Sequence, residues 1–98
     1  MTETLDVRVT HAPEKNRYEA RVGSELVGFA EYVLDGDVAT MTHTETDPAF
    51  EGKGVGSALV RGALDHLRVH GRSVRPQCWF VASWIERHED YASMLATS

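Results

Sequence analysis

Gly52, Gly54 and Gly56 stand at alternate positions in "AFEGKGVGSALV", directly ahead of a segment with helical periodicity. A helix N-terminus presents unpaired N–H groups and the positive end of its dipole. Glycines let the backbone close on a ligand, so this stretch is suited to hold a phosphate. Residues able to move protons or attack an electrophile lie on either side of it. His43 and Glu45 precede the loop, and Cys78 follows the helix. An imidazole beside a thiol can activate a nucleophile, and an imidazole or carboxylate alone can serve as a general base. Two familiar phosphate patterns fail here. A P-loop needs Lys-Ser or Lys-Thr after its last glycine, but Ser57-Ala58 follows Gly56. The dinucleotide fingerprint needs a third glycine where Leu59 stands, and an early βαβ unit.

Positioning such a loop takes a strand into it, a helix out of it and a strand beyond. Leu5, Val7 and Val9 alternate and predict a first strand, closed by the polar turn "PEKN". "RYEARV" and "ELVGFAEYVLDG" predict two strands joined through Gly23-Ser24, and Asp35-Gly36-Asp37 makes the next turn. "VATMTHTET" is a β-branched strand whose alternation places His43 on the face of Met41 and Glu45. From Val55 to His70 the apolar residues recur at helical spacing, with Gly71 as the stop. "RSVRPQCWF" predicts a short strand with Cys78 at its end, Pro76 marking an edge or terminus. "VASWIERHEDYASML" is helical in composition, with a break near His88. The order is β-β-β-β-α-β-α, an α+β class: an antiparallel meander followed by β-α-β-α with a right-handed parallel crossover. Residues 1–98 are expected to form a single domain.

The formal charge of −5, without a basic stripe, disfavours a duplex nucleic-acid binder. One cysteine excludes an intrachain disulfide and a four-thiolate zinc site. The start, "MTETLDVRV", has no apolar signal core, and no apolar run is long enough to cross a bilayer. A cytoplasmic protein with a reduced thiol is expected.

Glu51-Gly52-Lys53-Gly54-Val55-Gly56 resembles the Arg/Gln-x-x-Gly-x-Gly/Ala signature of the GNAT superfamily of acetyltransferases, departing from it at Glu51. Beyond the loop, "MTHTETDPAFEGKGVGSALVRGALDHLR" followed by "VRPQCWFVASWIERHEDYASML" is similar to the small stand-alone YjdJ-type N-acetyltransferases, a minimal branch of that superfamily. The resemblance covers Val27 to Leu95 well and the first strands loosely. It implies a minimal GNAT fold in which the strand before the loop and the strand after the helix splay apart. The pantetheine arm of acetyl-coenzyme A would lie between them, and Glu51 to Ser57 would wrap the pyrophosphate. Thr44 and Phe80 would line the channel.

The same resemblance singles out His43 and Cys78 as catalytic residues near the thioester of this cosubstrate. Two mechanisms are open. In one, His43 takes the proton of Cys78, which accepts the acetyl group before an amine does. In the other, His43 or Glu45 is the general base for direct attack by the amine. Tyr91 either protonates the leaving thiolate or packs as a helix aromatic. His66 and His70 have a metal-compatible spacing but lack further ligand signals, and read as packed or half-exposed side chains. Trp79, Phe80 and Trp84 read as core or groove wall.

Only "APEKN" separates the first two strands, where larger GNAT enzymes carry helices. The acceptor side is therefore expected to be open, suiting a protein or peptide amine such as lysine. The alternative reading is a coenzyme A-binding sensor or interaction module with little or no turnover.

Overall fold

The computed structural model describes residues 5–96. Residues 1–4, where the reading of the N-terminus as lacking a signal core begins, lie outside them, as do residues 97–98. Strands β1 (Val7–Ala12), β2 (Arg17–Val22), β3 (Glu25–Asp35), β4 (Val38–Thr46) and β5 (Ser73–Pro76) form one sheet in sequence order. The first four are antiparallel, and β5 is parallel to β4. Both predicted tight hairpins form, with left-handed Gly23 (φ 61°) and Gly36 (φ 62°) at their first turn positions.

Helix α1 (Val55–Val69) crosses from β4 to β5 and buries its apolar stripe on one face of the sheet. Leu59, Val60, Ala63, Leu64 and Leu67 are each at most 2% exposed and join Tyr18, Ala20, Ala30, Tyr32 and Met41 in the core. Each such leucine contributes about 1.5–3 kcal/mol of burial. Gly62 lets the helix approach β1, since a Cβ there would lie 2.8 Å from the Val9 side chain. The opposite face of the sheet is finished with charge. Glu19 pairs with Arg17 at 2.7 Å and Arg21 at 3.0 Å, and the Arg17 hydrogen bond leads in holding its carboxyl below the usual carboxylate range.

Two local features depart from the expected pattern, and both concern the site. First, β4 carries a bulge. Glu31 pairs with His43 but Tyr32 pairs with Met41, which leaves Thr42 as an extra residue. The bulge reverses the alternation downstream. Thr44 and Thr46 oppose Ala30 and Gly28 on the helix-bearing face, while His43 and Glu45 oppose Glu31 and Phe29 on the other. His43 thus shares a face with Glu45 but not with Met41.

Second, the strand after α1 ends at Pro76. A turn with Gln77 N–H donating to the Arg75 carbonyl (3.0 Å) leads into helix α2, Trp79–Glu86, and Cys78 is its N-cap rather than a strand end. The break expected near His88 is present. A 3₁₀ segment, Glu89–Met94, follows α2, and the His88 ring stacks on Trp84 at 3.7 Å. β5 pairs with β4 over its whole length, from Ser73 opposite Val38 to Pro76 opposite Met41, and then ends, so β4 runs on alone while the chain turns away into α2. The gap expected between splayed strands lies instead between β4 and the start of α2. No helix among the described residues is long and apolar enough to cross a membrane.

Candidate active site

The loop out of β4 is anchored at both ends. Asp47 N–H donates to the Val27 carbonyl (2.8 Å), and the Asp47 carboxylate accepts from Ala49 N–H (2.9 Å), capping a 3₁₀ turn at Pro48–Phe50. The chain then takes left-handed conformations at Gly52 (φ 77°) and at Gly54 (φ 85°), the N-cap of α1. A side chain is rarely held in that region, and this is why glycine is needed at both positions. The backbone N–H groups of Gly54, Val55, Gly56 and Ser57 have no acceptor among the described residues. They open onto a recess of about 220 Å³ lined by Thr46, Phe50, Glu51, Gly52, Gly54 and Phe80, among others. Gly56 lets Phe80 close over the helix start, because a Cβ there would lie 2.8 Å from its ring. The Ser57 hydroxyl accepts the Trp84 indole N–H at 2.8 Å, fixing α2 against α1.

A second recess, of about 420 Å³, lies beyond the end of β5, between β4 and the start of α2. His43, Thr44, Gln77, Cys78 and Trp79 line it, and Thr46 and Phe80 line both recesses. The two therefore adjoin across these shared walls, in line from the glycine loop to the thiol. Cys78 is held there by its N–H, which donates to the Met41 carbonyl at 2.9 Å. Its thiol donates to the Thr44 hydroxyl at 3.7 Å. His43 Nε2 lies 2.9 Å from the Glu45 carboxylate. With that nitrogen donating, Nδ1 carries the lone pair and is the basic atom.

Most of the residues expected at the site line these two recesses: His43, Thr44, Glu51, Gly52, Gly54, Val55, Gly56, Ser57, Cys78 and Phe80. Glu45 reaches them through His43. Lys53 lines neither recess and sits exposed at the loop tip, its N–H spent on the Phe50 carbonyl. Tyr91 is elsewhere. It is 4% exposed, its hydroxyl donates to Asp65 at 2.6 Å, and that bond together with burial pushes the phenol above its usual range. It lines neither recess and packs edge-on against Trp84. Tyr91→Phe is expected to cost about 1 kcal/mol and lower Tm by about 4–8 °C while leaving turnover within about twofold, checked by thermal unfolding beside an activity assay. Trp84 is core, whereas Trp79 is 77% exposed at the groove mouth. Sequence reasoning missed Thr46 and Gln77. The strand alternation that marks Thr46 was readable only with the bulge in hand, and Gln77 lies in a turn without a sequence signal of its own.

A family model described as GCN5-related N-acetyl-transferase matches residues 17–94. Protein NATD1 of Xenopus tropicalis is 24% identical over 91 residues, covering 90% of this chain and 83% of that protein. The solution structure of a GCN5-like putative N-acetyltransferase from Staphylococcus aureus superposes with a TM-score of 0.69 at 18% identity, over 99% of this chain and 93% of that one. The ribosomal-protein-S18-alanine N-acetyltransferase of Escherichia coli gives 0.62 at 21% identity over 74% of this chain, which spans only 50% of that enzyme. The glycine loop, the parallel β4–β5 pair and the segment carrying Cys78 all fall inside the matched residues, and the chain belongs to the GCN5-related N-acetyltransferase family.

Proposed function

We propose that the chain transfers the acetyl group of acetyl-coenzyme A to an amine in the groove between β4 and α2. One observation carries this reading: the recess of free N–H groups and the recess holding His43 and Cys78 share Thr46 and Phe80 as walls. A pyrophosphate on the loop would extend its thiol arm along those two residues to Cys78. Glu51 places a carboxylate beside the phosphates and weakens this binding.

The chemistry supported best is direct transfer. His43, oriented by Glu45, removes a proton from the amine as its nitrogen attacks the thioester carbonyl, and the carbon–sulfur bond breaks to release coenzyme A. The pairing of the side chains favours it, since the imidazole is bonded to Glu45 and the thiol to Thr44, not to each other. A relay through Cys78 is the second reading. The thiol lies in the groove at the N-cap of α2, where unpaired N–H groups favour an anion. Intact mass after mixing with acetyl-coenzyme A separates the two. Direct transfer predicts no covalent acetyl adduct and a Cys78→Ser protein with near-normal turnover. An adduct abolished by Cys78→Ala, with loss of turnover, establishes the relay.

The acceptor side supports an amine on a protein or peptide. Only a 3₁₀ turn at Pro13–Lys15 joins β1 to β2, and the His43 side chain is 51% exposed. A thiol-release assay over an amine panel, run beside calorimetric titration, tests the enzyme itself. Binding without amine-dependent thiol release would make the chain a coenzyme A-binding module instead.

A further inference from the structure

The 15-residue helix α1 rises about 1.5 Å per residue, so its C-terminal end lies about 22 Å from the glycine loop. There a separate cavity of about 330 Å³ opens between α1, β1 and β3. Three imidazoles converge on it, with ring centroids 4.6 Å apart for His11 and His66 and 4.3 Å apart for His66 and His70. Arg72 completes the polar side, and its guanidinium has no hydrogen-bond or ion-pair partner among the described residues. No carboxylate lines the cavity. A chain of net charge −5 thus keeps, away from its candidate active site, a cavity lined by a guanidinium and three imidazoles and by no carboxylate.

Each imidazole has one nitrogen in use. His11 Nε2 lies 2.6 Å from the Tyr32 hydroxyl, His66 Nδ1 lies 2.9 Å from the Tyr18 hydroxyl, and His70 Nδ1 donates to the His66 carbonyl at 2.9 Å. The remaining nitrogen of each can take up a proton. Burial above all, then the repulsion of the neighbouring imidazoles and Arg72, lowers His11 and His66 below the usual histidine value. Glu14, in the turn after β1, opposes this at His11 without lining the cavity. Burial pushes Tyr18 and Tyr32 up, so both stay protonated. Pro13, Leu34 and Leu67 form an apolar wall opposite the charges. The volume falls at the small end of the roughly 300–1,000 Å³ range of small-molecule sites.

We infer that this cavity binds a small organic carboxylate, its anionic end on Arg72 and the imidazoles and its apolar body on Pro13, Leu34 and Leu67. A bound anion favours the protonated imidazoles and raises their pKa values above those of the free protein. Binding therefore takes up protons, and affinity rises as pH falls through the histidine range. The inference stands apart from the acetyl-transfer reading, because it uses none of the groove residues.

Benzoate is the probe, followed by the ring C–H resonances of His11, His66 and His70 in the whole chain. Saturable shifts at all three are expected, with affinity about tenfold higher near pH ~5.5 than near ~8. Arg72→Met, which breaks no side-chain bond, should weaken benzoate about tenfold while leaving thermal unfolding near that of the parent protein. Absence of saturable shifts overturns the proposal, and so does an affinity unchanged by pH or by Arg72→Met. Benzamide matching benzoate removes the role of charge, and inorganic phosphate matching it removes the role of the apolar wall; either result overturns the proposal as well.

Discussion

His43→Ala lowers kcat/KM for amine acetylation by about 100-fold or more, the usual contribution of a positioned general base. The side chain is half exposed, and its one hydrogen bond goes to an exposed carboxylate, so the fold loses little. Acetyl-coenzyme A affinity should stay within about twofold, because the residue lies in the thioester recess and not in the phosphate recess. The loss then falls in kcat, which distinguishes removal of a base from removal of a binding contact. Glu45→Gln keeps the bond to the imidazole but loses the charge that stabilises imidazolium, and a drop of about tenfold is expected. Steady-state kinetics on a single amine, with calorimetry of acetyl-coenzyme A, reads both. A His43→Ala enzyme with parental kcat would remove the imidazole from the mechanism.

Gly54→Ala is the second large effect, and it separates the cost to the fold from the cost to the ligand. Gly54 holds φ 85°, a conformation that costs an L side chain about 1–2 kcal/mol. A Cβ placed there meets no protein atom within 4 Å. The fold therefore tolerates it at the expense of about 5–10 °C in Tm. Gly54 lines the phosphate recess, and strain at the N-cap turns the free N–H groups away from their aim. Losing one or two charge-assisted hydrogen bonds weakens acetyl-coenzyme A by about 100-fold. Gly36→Ala is the control. It has the same open surroundings and a φ of 62°, but lies in the hairpin between β3 and β4. It should lose similar stability and keep full affinity. Equal affinity loss in both variants would mean that the Gly54 effect is only global destabilisation.

The meander, the helix and the crossover were legible because each follows a local rule: two-residue turns with glycine, a β-branched strand, an apolar stripe at helical period. The loop's position was legible because glycines at alternate positions stand directly before a helical period, and two of them take left-handed conformations. Two details of the site were hidden for the same reason, since both depend on tertiary pairing. The bulge at Thr42 arises where β4 leaves its register with β3, and no residue in "TMTHT" announces it. It alone decides that Thr44 faces the Cys78 thiol while His43 turns to the other face beside Glu45. Cys78 was placed at a strand end because "RSVRPQCWF" reads as one short strand, with Pro76 marking an edge or a terminus. The missing N–H of Pro76 and the turn at Gln77 stop the strand earlier and hand the cysteine to α2. Tyr91 illustrates a different limit. Its spacing fits a groove donor as well as a packing aromatic, and the partner that holds its hydroxyl, Asp65 on α1, is set by tertiary packing.

Acetyl transfer as proposed requires the glycine-loop recess and the His43–Cys78 recess to act as one binding groove for acetyl-coenzyme A. A structure of the complex with coenzyme A tests this most directly. The pyrophosphate is expected on the N–H groups of Gly54 to Ser57, the thiol arm passing Thr46 and Phe80, and its sulfur within about 4–5 Å of the Cys78 thiol. A pyrophosphate away from the loop, or a sulfur that ends outside the cleft between β4 and α2, would contradict it.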